Sequence, residues 1–134
     1  MATLAIDARP ARVGLWTGRA LSTIVTLFLI FDGGIHLAKP APVVDAFAQL
    51  GFPISLSVAI GAIELACLAL HLLPRTAILG AVLLTGYLGG AIAAQLRIGA
   101  PVFNVIFPLI VAALLWGGLA LRDRRIMGLI GRAD

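Results

Sequence analysis

The sequence predicts an all-α protein, a bundle of four membrane-spanning helices in up-down order with both termini cytoplasmic, and three observations carry that expectation. Of the 134 residues, 61% are hydrophobic and only 12% charged, with a mean hydropathy of +1.10. A soluble domain carries roughly a quarter of its residues charged to cover a core of this kind. Four apolar runs approach the roughly 20 residues that a helix needs to cross the hydrocarbon layer. Lysine and arginine gather at the ends of those runs and mainly on one side of them, the bias that fixes orientation in a membrane. The chain reads as one membrane domain over 1–134.

The first run is placed at 19–38. The linker that follows, KPAPVVDAFAQLGFP, is broken by Pro40, Pro42 and Pro53 and has room for a surface helix over 43–50. Val43, Val44, Phe47 and Leu50 recur there at helical spacing, which suits a lid lying on the membrane. The second run is placed at 54–73, the third at 76–95 after PRT, and the fourth at 102–121 after RIGAP, both connectors carrying helix breakers. The basic tail 122–134, RDRRIMGLIGRAD, alternates basic and apolar residues and is expected along the inner leaflet. Arg9, Arg12, Arg19, Arg75, Arg122, Arg124, Arg125 and Arg132 then share the cytoplasmic side, against Lys39 and Arg97 outside. Trp16 and Trp116 fall near the cytoplasmic interface. Asp32 interrupts the first apolar run and no good A-x-A site follows it, which argues against a cleaved signal peptide.

On the third run Ala81, Thr85, Gly89 and Ala93 recur every four residues, beside a second stripe of Gly86, Gly90 and Ala94. Small residues let membrane helices approach closely, so this helix is expected to be the central packing column, with Gly89 on the packing stripe. The other reading is that the glycines leave room for a flat ligand. The lone Cys67 can form no internal disulfide and lacks a C-x-x-C partner, which argues against thiol relay chemistry. The net charge of +4 sits at the ends of apolar runs rather than along a groove-reading helix, so nucleic acid is not an expected partner. No span carries the repeated polar face of a channel.

Glu64 lies near the middle of the second run, where an ionisable group stands about 3 kcal/mol uphill and needs compensation. Helical rise places Asp32 at nearly the same depth, with His36 one turn further out on the same face. Tyr87 falls at mid-membrane, Gln95 and Asn104 further out, and Pro108 frees the Asn104 carbonyl from its helical partner. Asp32, His36, Glu64, Tyr87, Gln95 and Asn104 are therefore expected to line one outward-opening cavity with Glu64 as its floor. If the protein is an enzyme, Asp32, Glu64 and His36 are its catalytic candidates, since neighbouring carboxyls of unlike proton affinity suit acid/base work. Each group also has a structural reading: Glu64 hydrogen-bonded to Tyr87 or Thr85, Asp32 pinning His36 or Arg97, His71 at the interface, Cys67 as apolar filler, and Gln95, Arg97 and Asn104 as caps. His36 and His71 lie roughly 20 Å apart in depth, and the paired Glu-x-x-His pattern of di-iron bundles is absent. No metal or haem is expected within one chain.

At FLIFDGGIHLAKPAPVVDAFAQLGFP, IELACLALHLLPRTAILGAVLLTGYLGGAIAAQLRIG and NVIFPLIVAALLWGGLALRD, spanning roughly 25–125, the chain resembles the DoxX-like family of small four-helix membrane proteins. The block LPRTAILGAVLLTGYLGGA carries most of the specificity. The resemblance implies a multi-pass bundle in a bacterial plasma (inner) membrane with redox associations; DoxX itself is associated with a terminal quinol oxidase or thiosulfate:quinone oxidoreductase. The family pattern carries His after GGAVAT where this chain has Gln95. Three functions follow as expectations. The first is a redox-associated subunit or binding module holding a hydrophobic small molecule such as a quinone between flat walls and a few polar groups. The others are an acid/base enzyme of isomerase or hydrolase type, and an assembly partner without ligand. The lipid bilayer is the expected environment, and a membrane or redox protein or a second copy of the chain are compatible partners.

Overall fold

The computed structural model describes residues 9–131. Six helices follow one another: α1 (Arg9–Ala38), α2 (Ala41–Leu50), α3 (Leu56–Leu72), α4 (Ala77–Arg97), α5 (Val102–Arg122) and α6 (Arg124–Ile130). Their ends have local causes. Lys39 takes a left-handed φ of 51° and its N–H bonds back to the Ile35 carbonyl, after which Pro40 forbids continuation. Gly51 (φ 69°) and Gly99 (φ 62°) close α2 and α4 in the same left-handed way. In both, the following amide reaches five residues back, Phe52 to Phe47 and Ala100 to Gln95.

α1 begins at Arg9 and runs for 30 residues, well before the expected start at 19. Between Arg9 and Arg19 only Pro10, Gly14 and Gly18 disfavour a helix; Pro is tolerated in a first turn, and an isolated Gly costs a helix only about 1 kcal/mol. α1, α4 and α5 are long and apolar enough to cross a membrane, whereas α3 is apolar but has only 17 residues. α1 and α4 each pack against α3 and α5, closing a ring of four helices. The core runs down its axis through Val25, Leu29, Leu68, Leu84, Leu88, Val111, Leu115 and Leu119. Outward stand Leu27, Phe31, Ile63, Leu79, Val82, Val102 and Leu109, each more than half exposed. A surface so apolar in water would aggregate; lipid is its natural solvent.

Close approach is concentrated at particular glycines. A methyl group on Gly61 would stand 2.7 Å from His36 Cβ and 2.8 Å from the Gly33 carbonyl, and one on Gly80 would overlap the His71 backbone. The α1–α3 and α3–α4 seams thus depend on missing side chains. The expected packing column on α4 is corrected. Of Ala81, Thr85, Gly89 and Ala93, only Ala81 is buried, and α4 packs instead through Ala77, Gly80, Ala81, Leu84 and Leu88. Gly89 has nothing near it. Leucines fill the ring's interior better than glycines do, so the Leu face turned inward.

Candidate functional site

The tight α1–α3 seam brings the ionisable groups of the two helices together. Gly33 and Gly61 let the backbones meet beside His36, and Ser57, wholly buried, donates from Oγ to the His36 carbonyl at 2.7 Å. His36 Nδ1 lies 2.8 Å from the Asp32 carbonyl oxygen. A carbonyl can only accept, so Nδ1 carries the proton and Nε2 keeps its lone pair in the neutral ring. Asp32 Oδ2 stands 3.8 Å from the same nitrogen. From α4, Tyr87 donates its hydroxyl to Glu64 Oε2 at 3.0 Å. Glu64 is fully buried and its Oε1 has no partner among the described residues. One donor atom from each of Asp32, His36 and Glu64 lies within 4.8 Å of the others, the one cluster of His, Cys, Asp and Glu among the described residues close enough to share an ion.

Beside this cluster is a cavity of about 630 Å³. Phe28, Ile35, Phe47, Phe52, Ile60, Phe107 and Val111 supply apolar walls, and Asp32, His36, Tyr87 and Gln95 are the polar groups at its surface. Phe28 and Phe107 meet edge to face with centroids 5.2 Å apart, and His36 meets Phe47 at 5.8 Å, geometries that fix aromatic orientation. Gly86, Gly90, Ala91 and Ala94 form a flat wall on α4. Of the two stripes on that helix, the one made of Gly86, Gly90 and Ala94 faces the cavity, which is the arrangement the flat-ligand reading describes.

Across the cavity lies α2, which contributes Pro42, Val43, Ala46, Phe47 and Leu50. Arg97, at the end of α4, donates to the Leu50 carbonyl and lies over the Phe52 ring, 5.2 Å from its centroid. It therefore clasps α2 to α4 rather than standing as a solvated cap.

Of the six residues expected to share the cavity, four line it. Glu64 sits behind its wall, touching the site through Tyr87 and the Asp32–His36 pair. Asn104 does not join them: it is exposed in the first turn of α5, its amide bonded to the Pro101 carbonyl, while Pro108 does reach the cavity. Thr85 bonds to the Ala81 carbonyl and accepts from Trp116 Nε1 at 2.8 Å, so it is not the partner of Glu64. His71 is buried. Its Nδ1 donates to the Ala77 carbonyl at 3.0 Å, and its Nε2 faces Arg122 Nη2 at 3.3 Å. This α3–α5 link escaped the sequence reading because no spacing rule ties residues 51 apart. Cys67 lies in the apolar core.

A ring of apolar helices that keeps carboxyls, imidazole and phenol inside and turns a second set of apolar side chains outward is a small helical membrane protein. The chain belongs to the DoxX-like family, whose model matches residues 20–118. No curated protein and no solved structure matches it.

Proposed function

We propose that this protein is a membrane module that holds a hydrophobic small molecule with a hydrogen-bonding head, such as a quinone or quinol, in the cavity between α1, α4, α5 and α2. The observation that carries this reading is the cavity itself: apolar and aromatic walls, a flat strip of small residues, and four polar groups at its surface. Such a mixture is what an amphiphilic ligand of this size needs. The Gln95 amide donates to a ring carbonyl, while the Asp32 carboxylate accepts from a ring hydroxyl. A redox association follows from the family resemblance together with this donor and acceptor set.

The same reading has four helices crossing a bacterial plasma membrane with both termini cytoplasmic. α3, at about 25 Å, is the short crossing, and a bilayer thins locally to meet such a helix. The cavity then opens toward the outside, with α2 as its lid. Lipid extracts of the protein purified in mild detergent are expected to contain quinone at near-equal amounts, with retention lowered in Asp32→Asn and Gln95→Ala. Extracts without quinone, together with no binding of a short-chain quinone analogue, would refute the ligand and favour an assembly role. A second reading rests on the closeness of Asp32, His36 and Glu64: acid/base catalysis on an apolar substrate. It requires that Glu64→Gln leave the bundle folded and abolish turnover, because an amide cannot cycle a proton.

A further inference from the structure

We propose that Asp32, His36 and Glu64 form a binding site for one divalent first-row transition ion at the α1–α3 seam. This goes beyond the ligand reading and does not depend on it.

Two carboxyls and an imidazole converge within 4.8 Å. Two donors at about 2.1 Å from a common ion lie at most about 4.2 Å apart, so small rotamer shifts close the set on a metal. Glu64 supplies a second, independent observation. It is fully buried in the membrane interior, Tyr87 occupies its Oε2, and its Oε1 is left bare. A buried carboxylate oxygen without a partner is strongly disfavoured, and no Lys or Arg forms an ion pair with Glu64 or Asp32 among the described residues. A divalent cation satisfies the bare oxygen and neutralises both carboxylates together.

The surroundings are those of a prepared ligand set. The hydrogen bond from His36 Nδ1 to the Asp32 carbonyl fixes the tautomer and leaves Nε2 as the nitrogen with a free lone pair for a metal, and the Tyr87 hydroxyl holds Glu64 Oε2. Such outer contacts fix the tautomer and the carboxylate of metal ligands. One imidazole with two carboxylates suits Zn²⁺, Mn²⁺ or Fe²⁺ better than Mg²⁺ or Ca²⁺, which favour all-oxygen sets. Three protein ligands leave a fourth position open, and Asp32 and His36 border the cavity, so that position faces it.

The test uses the full chain with a tag free of histidine, stripped with EDTA in detergent, then equilibrated with Zn²⁺ or Mn²⁺ and desalted before elemental analysis. About one ion per chain is expected. His36→Ala and Glu64→Gln should each abolish stoichiometric loading, and Tyr87→Phe should weaken it roughly 10- to 100-fold. Gln95→Ala lies outside the ligand set and should keep the ion while losing quinone analogue, which separates failure of this site from failure of the cavity reading. Co²⁺ loading should add visible absorption bands that vanish in Asp32→Asn, the variant at a partly exposed position if Glu64→Gln proves unfolded. Wild-type protein that takes up no stoichiometric ion, or a monodisperse Asp32→Asn variant that loads like wild type, would overturn the proposal.

Discussion

Glu64 shows how one side chain is held where its chemistry is expensive. Its Oε2 takes the Tyr87 hydroxyl at 3.0 Å while Oε1 stays bare, so the residue is half satisfied by protein alone. Hydrogen bonds between membrane helices are worth on average about 0.6 kcal/mol and at most about 1.7. Tyr87→Phe is therefore expected to lower unfolding stability in detergent by that modest amount, read by thermal melting, without dispersing the bundle. A loss several times larger would mean that the phenol also anchors α4 in some other way. The Asp32–His36 pairing was legible from their four-residue spacing, and the Glu64–Tyr87 level from helix rise. Asn104 was placed by depth alone, and depth says nothing of which way a helix is turned. Packing rotated α5 so that Pro108 and Val111 face inward and Asn104 outward.

Among the elements, the seams between helices depend on where a side chain is missing. Gly61→Ala puts a methyl against His36 Cβ and the Gly33 carbonyl; the backbone cannot yield as a flexible chain would, and overpacking of this kind costs about 1–3 kcal/mol. Gly89→Ala meets open space and gains up to about 1 kcal/mol of helix propensity. The expected order of melting temperature is therefore Gly89→Ala at or above wild type and Gly61→Ala clearly below it.

α6 depends on a charge. Asp123 caps it by accepting the Arg125 amide at 3.0 Å, and the Arg125 guanidinium, 2.6 Å away, holds the carboxyl below its ordinary range. A depressed carboxylate stabilises fully above its unfolded value of about 3.9 and loses that contribution as pH falls through the folded value. Hydrogen exchange should report α6 protection unchanged from about pH 7 to 5 and falling below about pH 4. Asp123→Ala should remove about 0.5–2 kcal/mol of local stability at neutral pH.

At the scale of the whole molecule, orientation and lid are the open consequences of the proposed topology. Cysteine placed at Asp45 should react with an impermeant reagent from outside, and cysteine placed at Arg75 only from inside. Both positions are exposed, while native Cys67 is buried and silent. The reverse pattern would invert the bundle and with it the mouth of the cavity. Arg97→Ala should free α2 from the end of α4, since the clasp to Leu50 and the cover over Phe52 both come from that guanidinium. Faster exchange of α2 amides with no change in the melting of the ring would show α2 to be a separable lid.

Composition and the spacing of breakers determined by themselves that this chain is a helical membrane protein, because apolar length and backbone satisfaction leave a lipid-embedded segment little choice but helix. They also brought the helices of the ring to within a few residues of their observed ends, apart from the early start of α1. What only the tertiary structure decided was rotation. The two small-residue stripes of α4 are equally suited to close packing and to an open wall, and which did which depended on where the leucines of four helices could interlock. The same interlocking sent His71 into the α3–α4 seam to meet Arg122, turned Asn104 away, and set Glu64 behind the cavity wall with one oxygen bare. A sequence fixes the depth of each residue through helix rise; its facing is a property of the packed ring.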